Sequence, residues 1–150
     1  MQRTNSSDNP MKIKIKKLHP DAKLPSYVHP GDAGADFFAL ESVSLEPDQH
    51  VSIRTGIALE IPEGFVGLIW DKSGIAIREG IKTLGGVIDS GYRGEVMIGA
   101  VNLSGKRFVF EKGHKIAQML IQKVENVEFV VSSELEGSKR GDKGFGSTGN

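Results

Sequence analysis

The sequence has no cysteine among its 150 residues, which excludes disulfide bonds, thiol catalysis and metal sites built from thiolates. It also has no apolar run long enough to span a bilayer. Residues 1–10 are polar and lack the apolar core of a signal peptide. These absences are compatible with a reducing cytosol, and we predict a cytoplasmic protein that has no membrane partner.

Net charge is absent as well, because 19 Lys and Arg residues balance 19 Asp and Glu residues. Proteins that hold duplex nucleic acid through a basic surface carry an excess of positive charge, so we predict no nucleic-acid partner. The hydrophobic content of 38% and the charged content of 25% are typical of a soluble globular protein. The histidines are scattered and show no metal-ligand spacing, at His19, His29, His50 and His114.

Short apolar or alternating segments, separated by turn sequences, run through most of the chain. They predict strands at Met11–Lys16, Ser42–Leu45, His50–Ile61, Gly64–Trp70, Val87–Ile88, Gly94–Val101, Phe108–Phe110, Lys115–Gln122 and Val127–Val131. A helix of one or two turns is predicted at Ser73–Arg78. Many short strands at regular spacing indicate an all-β sandwich or barrel.

The length predicts one domain with two polar ends. We predict a disordered N-terminal extension at residues 1–10, a β domain at residues 11–136 and a glycine-rich C-terminal arm at residues 137–150. In the arm, Arg140 can meet phosphate charge, Ser147 and Thr148 can donate to phosphate oxygens, and Phe145 can stack on a base. Its composition also fits a disordered, solubilising tail, so both interpretations stay open on composition alone.

A glycine-rich turn joins two predicted strands near the middle of the chain. Asp89 ends the apolar pair Val87-Ile88, where a carboxylate can be held rigidly and can accept a proton from water. Tyr92 follows across the turn and could form the flat wall of a small-ligand pocket. Asp-Ser-Gly is also a common hairpin turn in which the aspartate is a turn residue, and this interpretation stays open.

Three further motifs offer groups for an anion or a cation. Lys72-Ser73-Gly74 opens the predicted helix, and a helix N-terminus suits an anion, although an ordinary N-cap would look the same. Asp36 lies near the start of a strand and offers the oxygen ligands that Mg²⁺ prefers, although a glycine-permitted bulge is the alternative. Lys115 and Gln118 could reach phosphate, or could simply belong to a turn that enters a strand.

These motifs occur in a fixed order along the chain. They run Gly34-Ala35-Asp36, Lys72-Ser73-Gly74, Gly86-Val87-Ile88-Asp89 with Tyr92-Arg93-Gly94, Ala117-Gln118, and Arg140-Gly141 with Gly144-Phe145-Gly146-Ser147-Thr148-Gly149. Their order and content resemble the five motifs of the trimeric deoxyuridine triphosphatases (dUTPases), over about residues 11 to 149. The third and fifth motifs are highly specific, and the other three support them.

The resemblance implies a distorted β-barrel or jelly roll with one short helix and a flexible C-terminal arm. Such proteins are homotrimers whose three active sites lie at subunit boundaries. The implied reaction is Mg²⁺-dependent hydrolysis of dUTP to dUMP and pyrophosphate by attack of water on the α-phosphate. It limits uracil incorporation into DNA and supplies dUMP for dTMP synthesis.

The resemblance also implies a role for each motif. Asp89 would orient and deprotonate the attacking water, Tyr92 would leave no room for a ribose 2′-hydroxyl, and Asp36 would bind Mg²⁺ through water. The base pocket would be formed by Thr83, Gly86, Val87, Ile88 and Met97. The phosphates would be held by Lys72, Ser73, Gly74 and Gln118. The arm would close over the nucleotide with Arg140, Phe145, Gly146, Ser147 and Thr148.

Three residues depart from the pattern of the family. Lys72 and Lys115 stand where the family usually has Arg, and lysine keeps the charge but loses the bidentate fork. Thr83 stands where many members have Asn. Two other functions stay open: a mono- or bifunctional dCTP deaminase of the same fold, and a non-catalytic, nucleotide-gated regulatory module. The turn at Tyr92 and the complete fifth motif favour a dUTPase, and the intact Asp89 argues against a pure binder.

Overall fold

The computed structural model describes residues 10–144, and within them the chain is built from short β-strands with one short helix. The strands are β1 (Lys14–Lys17), β2 (Ala35–Phe38), β3 (Val43–Leu45), β4 (His50–Glu60), β5 (Phe65–Trp70), β6 (Ile81–Leu84), β7 (Val87–Ile88), β8 (Glu95–Asn102), β9 (Phe108–Phe110) and β10 (Lys115–Lys123). The helix α1 is Ser73–Glu79. The predicted all-β fold is therefore confirmed.

The strands form two four-stranded sheets and a two-stranded ribbon, and each pairing is antiparallel. The first sheet has the order β1-β4-β8-β6, the second has the order β2-β10-β5-β7, and β3 pairs with β9. The connection through α1 takes the chain from β5 in the second sheet to β6 in the first sheet. This crossing brings the ends of the two sheets together at the residues that flank α1.

The core lies between the sheets and follows the alternation of the strands. In β8, alternate side chains from Val96 to Asn102 point inward, as the period of two for a half-buried strand requires. Thr55 is buried with them, and its hydroxyl donates to the oxygen of Val96 at 2.6 Å. The largest fully buried apolar side chains are Phe37, Phe110, Leu45, Ile53, Ile57, Ile61, Ile98, Met119 and Val96.

An irregularity in β4 lies where its pairing with β8 is interrupted and its pairing with β1 begins. Its pairing with β8 shifts register between Arg54 and Ala58, and Gly56 lies there with φ of 70°. A Cβ at Gly56 would lie 2.8 Å from the Cβ of Ala22, so this position requires glycine for its backbone conformation and for space. Beyond the shift, β4 pairs with β1 through residues 57–60.

Several strand predictions differ from the structure. Strand β1 begins at Lys14, three residues after its predicted start at Met11, and β2 had no predicted bounds. Strand β6 was not predicted, because its alternation covers four residues and glycine punctuates both ends. The predicted strand at Val127–Val131 is wrong, since residues 124–144 contain no strand and Val131 is 99% exposed. Its apolar residues have no neighbouring strand within the described part of the chain.

Candidate active site

Strand register places two of the predicted site residues side by side. Asp36 in β2 pairs with Gln118 in β10, and Gln118 pairs on its other side with Trp70, the last residue of β5. Lys72 follows Trp70 after one residue and is the N-cap of α1. The first, second and fourth motifs are therefore brought together at one end of the second sheet.

The start of α1 carries no side-chain cap. Lys72 has an extended backbone there, and its main-chain oxygen accepts from the N–H groups of Ile75 and Ala76 at 3.0 and 2.9 Å. Ser73 is exposed, and the guanidinium of Arg78 packs over Gly74, where an added Cβ would lie 2.8 Å from Nη2. No side chain within residues 10–144 caps this helix, so the alternative interpretation of the motif as an ordinary N-cap is wrong.

A buried carboxylate with two lysine partners lies beside this helix. Asp36 is 1% exposed, its Oδ1 lies 2.6 Å from Lys72 Nζ, and its Oδ2 lies 2.8 Å from Lys115 Nζ. Burial raises the pKa of the Asp36 carboxyl, but Lys115 and Lys72 lower it more, so its pKa lies below the ordinary value of 3.8. Asp36 is therefore ionised at neutral pH and offsets one of the two lysine charges, so the three side chains together keep a charge of +1. Two of the three departures from the family pattern meet at this one side chain.

Asp36 is also the residue predicted to bind Mg²⁺. A carboxylate has suitable chemistry for that ion, but direct coordination does not fit because each oxygen already faces an ammonium group. Residues 10–144 also contain no cluster of three or more His, Cys, Asp or Glu side chains that could hold a metal ion. Binding of Mg²⁺ by Asp36 through water stays a prediction.

The side chain of Gln118 lies between Gly34 and Asp71, which precedes α1. Its Nε2 donates to the main-chain oxygen of Asp71 at 2.9 Å. A Cβ at Gly34 would lie 2.9 Å from Gln118 Cδ, so glycine in the first motif makes room for the glutamine of the fourth. Gln118 thereby stays against the segment that carries Lys72.

The third motif begins with two glycines that have positive φ angles. Gly85 and Gly86 have φ of 70° and 123°, and a Cβ at Gly86 would lie 2.9 Å from the oxygen of Ile69. Only glycine allows this backbone to lie so close to β5. The N–H of Ile69 donates to the oxygen of Gly86 at 2.8 Å, which fixes the segment that leads into Val87-Ile88.

The turn after β7 holds Tyr92 against its own backbone. Tyr92 Oη donates to the oxygen of Glu95 at 2.8 Å, and the N–H of Tyr92 donates to the oxygen of Asp89 at 3.1 Å. Arg93 Nη1 donates to the oxygens of Ser90 and Tyr92 at 2.5 and 2.9 Å. These bonds close the turn, so the ring of Tyr92 stands as a fixed wall.

Asp89 is exposed next to this wall. Within residues 10–144 no hydrogen bond or ion pair involves its carboxylate, and a small cavity of about 200 Å³ opens beside it. The cavity is lined by Val87, Ile88, Asp89, Tyr92, Glu95 and Met97. A carboxylate that faces an open cavity can accept a proton from a bound water.

The predicted site residues therefore fall into two separate groups. A cavity of about 590 Å³ is lined by Asp36, Lys72, Ser73 and Gln118 among others, and we call it the phosphate cavity. The cavity beside Asp89, which we call the base cavity, shares no lining residue with it. Neither cavity is lined by Arg140, which is exposed and donates from Nε to the oxygen of Lys143 at 2.9 Å. The remaining predicted arm residues lie outside the described residues, namely Phe145, Gly146, Ser147 and Thr148.

Thr83 lies in β6 and lines neither cavity. Its contact with Asp71 was not predicted. Its main-chain N–H and its hydroxyl donate to Asp71 Oδ1 at 2.7 and 2.8 Å, and Lys82 Nζ pairs with Asp71 Oδ2 at 2.8 Å. Asp71 lies just before the second motif, and the sequence indicated no role for it. A prediction of strand β6 could have indicated that Asp71 contacts Thr83, but that strand was not predicted.

The comparisons with known proteins agree on one family. The dUTPase family model matches residues 20–149. The deoxyuridine 5′-triphosphate nucleotidohydrolase of Corynebacterium diphtheriae is 43% identical over 148 residues, covering 97% of this chain and 97% of that protein. The protein of the same name from Hydrogenobaculum sp. is 45% identical, covering 93% of this chain and 99% of that protein.

Solved structures agree with the sequence relatives. A Staphylococcus bacteriophage 80alpha dUTPase mutant with dUpNHpp has a TM-score of 0.87 at 32% identity, covering 93% of this chain and 99% of that chain. A mutant dUTPase from phage phi11 of S. aureus, described with a structural Mg(II) ion, has a TM-score of 0.80 at 27% identity, covering 85% of this chain and all of that chain. Because the family model matches most of the chain and the five motifs follow one another in order along the sequence, the chain belongs to the dUTPase family.

Proposed function

We propose that this protein hydrolyses dUTP to dUMP and pyrophosphate by attack of water on the α-phosphate. The observation that carries the proposal is the base cavity, where an exposed Asp89 stands beside the fixed ring of Tyr92. The names of the curated relatives support the same substrate and reaction. The activity would limit uracil incorporation into DNA and would supply dUMP for dTMP synthesis.

In the proposed reaction Asp89 orients one water and accepts its proton as the oxygen attacks phosphorus. A carboxylate suits this task because it is ionised at neutral pH and accepts hydrogen bonds. Attack on a triphosphate also requires positive charge near the phosphate oxygens. Lys72 and Arg140 supply such charge, and Mg²⁺ bound to the phosphates would add to it.

Substrate selection is assigned to the other walls of the base cavity. The ring of Tyr92 packs against the deoxyribose and leaves no room for a 2′-hydroxyl, which selects dUTP over UTP. The main chain from Thr83 to Ile88 offers N–H and C=O groups to the uracil edge, with Met97 beside it. Support comes from the glycine pair, whose positive φ values let this main chain lie against β5, where the N–H of Ile69 donates to the oxygen of Gly86 at 2.8 Å.

We further propose that the protein is a homotrimer whose active sites are shared between chains. Support comes from the separation of the two cavities, which leaves phosphate residues and Asp89 in different places on one chain. Further support comes from an exposed apolar segment after β10, where Phe129 is 92% and Leu135 is 91% exposed. Such a segment suits burial against another subunit.

The arm completes the proposal. Arg140, Ser147 and Thr148 would meet the γ-phosphate and Phe145 would cover the uracil, so that the closed site holds little water besides the nucleophile. The substrate is then the small-molecule partner, with no nucleic acid or membrane involved. The helix found within residues 10–144 has seven residues, and none there could span a bilayer. A cytoplasmic location stays a prediction.

The test is product analysis across a nucleotide panel. The protein is incubated with dUTP, dCTP, dTTP and UTP, with and without Mg²⁺, and pyrophosphate and ammonia are measured together. Rapid pyrophosphate release from dUTP alone is expected, with loss of most activity when Mg²⁺ is chelated. Ammonia from dCTP would identify a deaminase instead, and binding of dUTP without products would identify a regulatory module.

A further inference from the structure

Asp71 contacts two strands at once, where the chain leaves β5 to start α1. Its carboxylate accepts from the N–H and hydroxyl of Thr83 at 2.7 and 2.8 Å and pairs with Lys82 Nζ at 2.8 Å. Its main-chain oxygen accepts from Gln118 Nε2 at 2.9 Å. The residue before Lys72 is therefore bound to β6 by its side chain and to β10 by its main chain.

The segment that Thr83 begins is held at both ends. Asp71 fixes the N–H of Thr83, and the hydrogen bond from Ile69 to Gly86 fixes the far end at 2.8 Å. The conformation between these points depends on the positive φ of Gly85 and Gly86. A displacement at Thr83 would therefore be carried into the main chain that faces the base cavity.

The carboxylate of Asp71 lies where its negative charge would repel a phosphate ligand. It lines the phosphate cavity and its side chain is 21% exposed. Burial raises the pKa of Asp71, but the hydrogen bonds from Lys82 and Thr83 lower it more, so the group is ionised at neutral pH. Lys82 offsets the charge, which makes a carboxylate tolerable beside a triphosphate.

We propose that Asp71 is a positioning residue for base selection: it holds the main chain from Thr83 to Ile88 in register with the phosphate-binding residues of the second and fourth motifs. This inference rests on the proposed function, because it names how that same site distinguishes uracil from other bases.

The experiment compares two substitutions of Asp71 with a matched control. Asp71→Ala removes every side-chain acceptor, whereas Asp71→Asn keeps an oxygen that can accept from Thr83. The control is Asp21→Ala, which removes another lysine-paired aspartate whose pKa is also lowered but which is 51% exposed and lines neither cavity. The readout is kcat/KM for dUTP divided by kcat/KM for dCTP.

We expect Asp71→Ala to lower this selectivity by about tenfold, which corresponds to about 1.4 kcal/mol and to the net contribution of one hydrogen bond. Asp71→Asn should lower it less, and Asp21→Ala should leave it unchanged. Chemical denaturation of each variant is measured in parallel. Reduced stability with unchanged selectivity in Asp71→Ala would overturn the proposal, because a merely structural carboxylate behaves in that way.

A double-mutant cycle with Thr83→Val tests the route through Thr83. The combined variant should lower selectivity by less than the product of the two single effects, because each substitution removes the contact between the Thr83 hydroxyl and Asp71. Fully multiplicative effects would overturn the route. If Asp71→Ala does not fold, Asp71→Asn and Thr83→Val give the same test.

Calorimetric binding of dUMP and dCMP to these variants separates the inference from the proposed function. A wild-type protein that releases no pyrophosphate from dUTP would contradict the proposed function alone. Loss of the preference for dUMP in the Asp71 variants would still support the inference, and an unchanged preference would contradict it.

Discussion

The Nζ of Lys72 lies 2.6 Å from the Oδ1 of Asp36, so the cation assigned to phosphate is already paired with the carboxylate assigned to the metal. Lys115 occupies the other oxygen of Asp36 at 2.8 Å. A substrate phosphate that approaches Lys72 must therefore share this cation with a buried anion. The charge of Asp36 sets how strongly the phosphate cavity attracts its ligand and also contributes to folding.

Asp36→Asn should destabilise the protein by about 3 kcal/mol, at the low end of the range for breaking a buried ion pair. The low end applies because the side chains of Lys72 and Lys115 are 28% and 45% exposed, so water partly solvates them. Urea denaturation at equal protein concentration measures the loss. The matched control is Asp21→Asn, whose pair with Lys112 is exposed, and a similar loss in both variants would contradict the assignment.

The same residues predict acid sensitivity. The pKa values of Asp36 and Asp71 lie below 3.8 in the folded protein, so their stabilisation is fully present above the unfolded pKa and is lost as pH falls through the folded pKa. Unfolding free energy should therefore decline below about pH 4, and Asp36→Asn should reduce the steepness of that decline. An equal pH dependence in wild type and variant would argue against a role for this carboxyl.

Asp89→Asn should bind dUTP with near wild-type affinity and lose turnover by about a thousandfold, within the range for removing a general base. The amide keeps the size of the side chain but cannot accept a proton from water. Isothermal titration with a non-hydrolysable dUTP analogue gives the affinity, and pyrophosphate release gives kcat. Turnover near the wild-type rate would rule out the proposed role of Asp89.

Gly34→Ala should lower kcat/KM for dUTP by roughly tenfold, because small misplacements of binding groups are costly. The new Cβ would lie 2.9 Å from Gln118 Cδ, so the glutamine must leave its bond to the oxygen of Asp71. Steady-state kinetics measures the effect. Gly105→Ala is the control, since nothing lies within 4 Å of that Cβ, and equal effects would show that Gln118 is not responsible.

Phe129→Asp should convert the proposed trimer towards monomer, since burial of one such side chain contributes about 1.5–3 kcal/mol per subunit. Light scattering after size-exclusion chromatography measures the mass. Glu128→Gln, a change at the neighbouring residue that adds no charge to an apolar surface, should leave the mass unchanged. Removal of the residues after Glu136 should reduce turnover and leave the trimer intact, so loss of the trimer on that truncation would assign the arm a structural role.

The strand pattern was predictable where alternation ran for many residues. His50–Ile61 predicted β4 and Gly94–Val101 predicted β8 to within one residue at each end. Alternation failed at β6, which is too short, and at Val127–Val131, where apolar content alone suggested a strand. Periodicity indicates which side chains are apolar on one face. It does not indicate which strand or subunit packs against that face.

Site residues were easier to name than to place. Order along the chain identified Asp36, Lys72 and Gln118, but their contacts depend on how β2, β10 and β5 align, and no local pattern sets that register. The contact of Asp71 with Thr83 depends in turn on the crossing from one sheet to the other. Long-range pairing of this kind is fixed by the packing of the whole domain.

The separation of the phosphate cavity from the base cavity has a genetic consequence if sites are shared between chains. A variant defective at Lys72 and a variant defective at Asp89 would each be inactive alone, yet each retains the half that the other lacks. Random mixing of the two in equal amounts would restore roughly a quarter of the sites, since each site draws its halves from different chains of a symmetric trimer. Two non-functional alleles could thus complement one another within a single cell.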